Sequence, residues 1–101
     1  MATSSNKIVI YSKNGCPNCD YAKDLLKELQ LPYEEVHFNT NDPSYQEQRD
    51  ALVARTQFKT FPQIFVGDEF VGGAMELQKA YDTLRLHELV EKIGLKLDVD
   101  F

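Results

Sequence analysis

Cys16 and Cys19 stand two residues apart in Cys16-Pro17-Asn18-Cys19, and the chain of 101 residues has no other cysteine. The thiolate is the nucleophile and the metal ligand, so what matters is whether this place lowers a thiol pKa. An apolar, β-branched run, Ile8-Val9-Ile10-Tyr11, precedes the pair, and a helical pattern follows it. Cys16 therefore falls at a helix N-terminus, whose amide groups have no intrahelical partner and favour an anion. The first sulfur is expected to be exposed and reactive. The second, a turn further in, should be buried and able to close a disulfide onto the first. So short a loop adds little as a staple, which points to a chemical use for the bridge.

A bare C-x-x-C has other readings. Half of a zinc site would need two more ligands, and the histidines, His37 and His87, lie at no short ligand spacing from it or from each other. No metal is expected. Two inert core cysteines are the remaining reading, and the strand–turn–helix setting with an intervening proline counts against it.

The surrounding pattern supplies the scaffold. Residues 7–12 read as a short buried strand. Ala22, Leu25, Leu26 and Leu29 form the buried stripe of a helix over about 17–30, with Pro17 in the first turn, where its missing N–H costs nothing. Tyr33–Phe38 read as a second strand with Glu34 and Glu35 on its outer side. Asp42 or Ser44 is expected to cap a helix to about Arg55, with Tyr45, Ala51 and Leu52 inward. Gln63–Val66 and Glu69–Val71 flank a tight Gly67-Asp68 turn and read as an antiparallel hairpin. From Ala74 the pattern is helical to Gly94, but the stripe of Leu77, Ala80, Tyr81 and Leu84 does not continue into that of Leu86, Leu89, Val90 and Ile93. A kink or two helices meeting near Leu84–Leu86 is expected, with an irregular tail over 95–101. The order β-α-β-α-β-β-α(α), with right-handed crossovers, gives one α/β domain over 1–101, its core spanning about 6–94: a four-stranded mixed sheet flanked by helices, the thioredoxin fold. It puts Cys16 at the end of the first strand, where α/β sites gather.

Three further features bear on the cysteines. In Thr60-Phe61-Pro62 the proline is either a plain strand entry or a cis peptide that turns the Phe61 backbone toward Cys16, where its N–H and C=O would pair with an extended thiol substrate. Gly72-Gly73-Ala74-Met75-Glu76 opens a helix. It is either a hairpin exit with a cap or a place where free N–H groups hold a carboxylate. Lys13, three residues before Cys16, is by default a solvated lysine and gains interest only beside a thiol.

Composition narrows the partners. Residues 1–30 carry four lysines against three acids, and the acidic excess behind the net charge of −5 lies in 31–101. No basic stripe exists, so nucleic acid is not an expected partner. No run approaches the length of a membrane span. Residues 1–6 are small and polar with no hydrophobic run behind them, so a cytoplasmic location is expected.

Taken together, Lys13, Cys16-Pro17-Asn18-Cys19, Thr60-Phe61-Pro62-Gln63-Ile64-Phe65, Gly72-Gly73 and Glu76-Leu77 resemble a dithiol glutaredoxin over about residues 6–94. The family pattern is C-P-Y-C, then T-V-P-x-[IV]-F, then G-G-x-x-D-L. Asn18, Phe61 and Glu76 depart from it, in place of tyrosine, valine and aspartate. The resemblance implies a monomeric, glutathione-dependent thiol–disulfide oxidoreductase with Cys16 as nucleophile and Cys19 as resolving thiol. It further implies a glutathione groove lined by Thr60, Phe61 and Pro62. Lys13 and Lys59 would meet the glycine carboxylate of glutathione. The segment from Gly73, through the N–H groups of Ala74 and Met75, would hold the γ-glutamyl carboxylate, and Glu76 would face the amino group. Its partners would be glutathionylated or disulfide-bonded proteins, with ribonucleotide reductase as one such client. The rivals are a thioredoxin-like donor re-reduced by a flavoprotein and an iron–sulfur cluster carrier; Gly72–Glu76 counts against the first and Pro17 against the second.

Overall fold

The structure, a computed structural model, describes residues 6–97. Strand β1 (Ile8–Lys13) leads into helix α1 (Pro17–Glu28), strand β2 (Tyr33–Phe38) and helix α2 (Tyr45–Thr56). Strands β3 (Gln63–Val66) and β4 (Glu69–Gly72) form the hairpin, followed by helices α3 (Ala74–Asp82) and α4 (Arg85–Lys92). The sheet order is β2-β1-β3-β4, with β1 parallel to β2 and antiparallel to β3, and β3 antiparallel to β4. This is the thioredoxin fold that the pattern of elements predicts.

Alternation along the inner strands sorts the two faces. Ile8, Ile10, Ile64 and Val66 point to one side and pack with Ala22, Leu25, Leu26, Leu77, Leu86 and Val90 from α1, α3 and α4. Tyr11 and Phe65 point to the other, among Phe38, Leu52 and Phe61. Aromatic edges organise this second layer: Tyr11 meets both Phe38 and Phe65 edge-on, and Phe38 meets Phe61 with ring centroids 5.7 Å apart. Such pairs add to what burial alone gives.

The helix boundaries follow local chemistry. Helix α1 stops at Glu28, two residues short of the predicted end, because Gln30 takes a left-handed φ of 58° and Leu31 N–H turns back to the Leu26 carbonyl. The predicted break near 84 is sharp: Leu84 has φ 66° between α3 and α4. It is itself half exposed, outside the stripe predicted for it, while Leu77, Ala80 and Tyr81 on one side and Leu86, Leu89, Val90 and Ile93 on the other face the core. Helix α4 closes at Lys92, and Gly94 follows with φ 86°.

Helix α2 differs more from its sequence reading. Ala51 is exposed, and Leu52 is the residue of α2 that is fully inside. Asp42 accepts from the Ser44 N–H and hydroxyl instead of a helical amide, and Ser44 makes no side-chain cap. Of the predicted tail, Leu95 and Leu97 pack against the core, and 98–101 lie outside the described residues. Among the described residues, no helix is long and apolar enough to cross a membrane.

Candidate functional site

Cys16 is the N-cap residue of α1, in extended backbone, and the residue after it is the helix-compatible Pro17. Its carbonyl accepts the first helical amides, from Cys19 at 3.1 Å and Asp20 at 3.2 Å. Its Sγ in turn receives the Cys19 N–H at 3.1 Å. The Cys19 amide is thus shared between the Cys16 carbonyl and Sγ, and a sulfur at an N-cap also lies next to the positive end of the helix dipole. An amide donor and that dipole both favour thiolate over thiol. Cys16 is partly exposed, whereas Cys19 is 1% exposed among Phe38, Leu52, Phe61 and Phe65. The two form a disulfide with Cα atoms 5.2 Å apart. The geometry separates an accessible sulfur from a sheltered one within bonding reach.

The segment before β3 faces this pair. The Phe61–Pro62 peptide is cis, and the Phe61 carbonyl oxygen lies 3.8 Å from Cys16 Sγ. What fixes the segment is a residue the sequence reading passed over. Gln63 is 0% exposed, and its amide nitrogen donates to the Phe58 carbonyl at 2.5 Å and the Thr60 carbonyl at 3.3 Å. Its oxygen accepts from the Thr56 hydroxyl at 2.8 Å. One buried side chain thus ties the end of α2 and the loop ahead of Pro62 to the start of β3. Thr60 and Lys59 stand exposed on that loop, and Arg49 donates to the Lys59 carbonyl at 3.2 Å.

The start of α3 forms the other wall. Gly72 has φ 124°, and a Cβ there would sit 2.7 Å from Glu76 Cγ. Only glycine leaves room for Glu76 to fold back, where Oε1 accepts the Gly73 N–H at 2.9 Å. A Cβ on Gly73 would come within 3.3 Å of the Pro62 carbonyl, so these two backbones are close neighbours. Ala74 is buried and Met75 is 81% exposed. Asn18, Tyr21, Ala74, Met75, Gln78 and Lys79 line a cavity of about 430 Å³ between α1 and α3, bridged by a hydrogen bond from the Tyr21 hydroxyl to Gln78.

A second cavity of about 410 Å³ lies on the β2 side of the thiol, lined by Lys13, Asn14, Gly15, Cys16, Asp20, Lys23 and His37. Lys13 holds its ammonium over the Phe61 ring. Behind the cavity, buried Ser12 donates to Glu35 at 2.5 Å, and Lys23 donates to the same carboxylate oxygen at 3.0 Å. The Ser12 hydrogen bond, followed by that of Lys23, holds the Glu35 carboxyl below its ordinary range, and Glu35 in turn raises Lys23. His37 Nδ1 stands 3.2 Å from Ser12 Oγ. The parallel register that opposes Ser12 to His37 makes this cluster, and only a predicted strand pairing could have exposed it. His87, by contrast, stacks on Tyr81 in the α3–α4 region.

Known proteins resemble this chain in sequence and in fold. The glutaredoxin family model covers residues 8–71. The chain belongs to the glutaredoxin family. It is 36% identical over 93 residues to the mitochondrial glutaredoxin-2 of Pongo abelii, a match covering 92% of this chain and 57% of that protein. The chain thus spans less than two thirds of that relative's length. It is 38% identical over 85 residues to glutaredoxin 1 of Rickettsia bellii, covering 83% and 86% of the two chains. A buckwheat glutaredoxin–glutathione complex superposes with a TM-score of 0.80 at 22% identity, over 89% of this chain and 81% of that one, a likeness of fold.

Proposed function

We propose that this glutaredoxin is a glutathione-dependent thiol–disulfide oxidoreductase in which Cys16 is the nucleophile and Cys19 the resolving thiol. The observation that carries the reading is the N-cap sulfur of Cys16, amide-bonded at 3.1 Å and partly exposed, bridged to a Cys19 that is 1% exposed. In the one-thiol route the Cys16 thiolate attacks the glutathione sulfur of a mixed disulfide. A Cys16–glutathione bond forms, the substrate–glutathione bond breaks, and the leaving thiolate takes a proton from water. The thiolate of a second glutathione then attacks the bound glutathione sulfur, releasing glutathione disulfide and the Cys16 thiolate. In the two-thiol route Cys16 attacks a protein disulfide. Cys19 loses its proton and displaces the client's sulfur, closing the Cys16–Cys19 bridge, which two further glutathiones reduce.

The groove supports glutathione as the reductant. The Phe61 backbone beside Sγ suits pairing with an extended peptide. Lys13, helped by Lys59, would attract the glycine carboxylate. The N–H groups of Ala74 and Met75 at the start of α3 would hold the γ-glutamyl carboxylate, since helix starts favour anions. Gly73 keeps that helix start against Pro62, with Thr60 and Pro62 as the groove's other edge. One oxygen of Glu76 is already taken by Gly73, so its part is first to brace this anion site and only then to face the ligand's amino group. Asn18 in place of an aromatic residue leaves the α1–α3 side of the thiol open. The same fold holds glutathione in the buckwheat protein.

The clients would be glutathionylated or disulfide-bonded proteins, ribonucleotide reductase among them, met by a single-domain monomer in the reducing cytoplasm. A turnover assay comparing glutathione with thioredoxin reductase as the electron source tests the reading. Turnover with glutathione is expected, and turnover with the flavoprotein alone would replace the reading by a thioredoxin-like donor.

A further inference from the structure

We propose that the Phe61 ring is a seat that holds the Lys13 ammonium at the Cys16 cavity, so that Phe61 is a positioning residue acting on anionic thiols and thiol reagents through Lys13. Lys13 Nζ lies 5.6 Å from the centroid of that ring, within the range in which an aromatic face attracts a cation. The ring itself does not wander. It is 7% exposed and packed by the edge of Phe38, and the loop that carries it is tied down by the Gln63 amide on the Phe58 and Thr60 carbonyls. The residue whose carbonyl stands 3.8 Å from Cys16 Sγ therefore also carries the platform under the nearby cation.

The cavity's charges make this seat consequential. Lys23 is engaged by Glu35 at 3.0 Å and by Asp20 at 3.8 Å, so its charge is largely answered. Among the described residues no carboxylate stands within ion-pair distance of Lys13, which leaves its charge available to an incoming anion. A lysine stem loses considerable rotamer freedom when fixed in one place, and an attractive ring face offsets that loss. An aliphatic side chain at 61 would still touch the stem but has no ring quadrupole to hold the ammonium.

Rates of Cys16 alkylation on the fully reduced chain, with anionic iodoacetate and with neutral iodoacetamide, test the seat without any need for glutathione. Their ratio reads the positive charge at the thiol. Phe61→Leu is expected to lower the ratio about two- to five-fold, the worth of an exposed cation–π contact. Phe61→Tyr should keep it, and Phe61→Leu should change nothing further in a Lys13→Met background. An unchanged ratio in Phe61→Leu, or an equal fall in both backgrounds, would overturn the proposal. If Phe61→Leu does not fold, the Lys13 ε-methylene protons of the native chain decide. They should resonate upfield of those of the other lysines, and an unshifted position refutes the seat. The effect on glutathione rests on the function proposed above: KM at low salt should rise by the same factor while kcat holds. A chain that turns over no glutathione but shows the expected alkylation ratios would remove that function and leave the seat standing.

Discussion

Replacing Gln63 by Met removes the tie between the end of α2, the 58–62 loop and β3 while nearly keeping the side-chain volume. Three hydrogen bonds go, but they are not equal. Thr60 is exposed, so water replaces the donor its carbonyl loses at 3.3 Å. The Thr56 hydroxyl keeps the Leu52 carbonyl at 3.1 Å and the Phe58 N–H at 3.2 Å. The Phe58 carbonyl is the group left poorly served, since its remaining contact, to the Thr56 hydroxyl, is at 3.5 Å. A buried acceptor stripped of its partner costs ~1–3 kcal/mol, the Phe58 carbonyl is part-buried and falls within that range instead of at its top, and the volume-matched swap adds little cavity cost. At ~4–8 °C per kcal/mol for a domain of this size, a loss of ~2 kcal/mol corresponds to a Tm lower by ~8–16 °C. Urea melts should show a lower midpoint at unchanged slope, the sign of lost stability without a changed unfolded state. Hydrogen exchange should rise first in the 57–61 amides. A loss below ~0.5 kcal/mol would refute the tie as a structural element.

Three other outcomes follow from the same geometry. Cys19→Ser should spare removal of glutathione from a mixed disulfide, which uses one thiol, and cripple reduction of a protein disulfide; equal loss of both would contradict the separate routes. Glu35 has its folded pKa below the ordinary 4.5, so its contribution is present above that value and is lost as pH falls through the lowered one. Glu35→Gln should therefore destabilise the chain at neutral pH and cost nothing at strongly acidic pH, as read by urea midpoints across the range. Leu84 is half exposed at φ 66°, where a branched side chain is strained by ~1–2 kcal/mol and glycine is not. After the greater entropy that glycine gives the unfolded chain, Leu84→Gly should stabilise by ~0.5–1 kcal/mol in a thermal melt.

The parts of this protein legible in its sequence are those governed by local chemistry. Cys16 at a helix start, the cis Phe61–Pro62 peptide, the Gly67-Asp68 hairpin and the α3–α4 break are each announced by a few neighbouring residues. The parts that were not legible depend on which strands become neighbours. Gln63 reads as an ordinary strand residue until the 56–60 segment folds over it. Ser12, Glu35 and His37 are three separated polar residues until the parallel pairing of β1 with β2 stacks them beside the thiol. Helix α2 lies where its sequence puts it, with Tyr45 and Leu52 inward, and only the outward turn of Ala51 is hidden, for a related reason. Its amphipathic signal is weak, so the placement of Leu52 inward and Ala51 outward is set by the aromatic layer it lands on.

The place of β2 in the sheet has a consequence for how copies of this chain meet one another. As an outer strand beside β1, it presents one row of backbone groups to which a second copy's strand could add. Val36 is exposed on it, and its exposed neighbours are Glu34, paired to Lys7 at 2.7 Å, Glu35, paired to Lys23 at 3.0 Å, and His37, so a second copy's edge would have to pair against charged side chains. Ser12 and Lys23 hold the Glu35 carboxyl below the ordinary glutamate range, which favours its charged form. The same hydrogen bonds that lie behind the thiol cavity thus keep one carboxylate of the β2 edge ionised further into acid than a free glutamate would be.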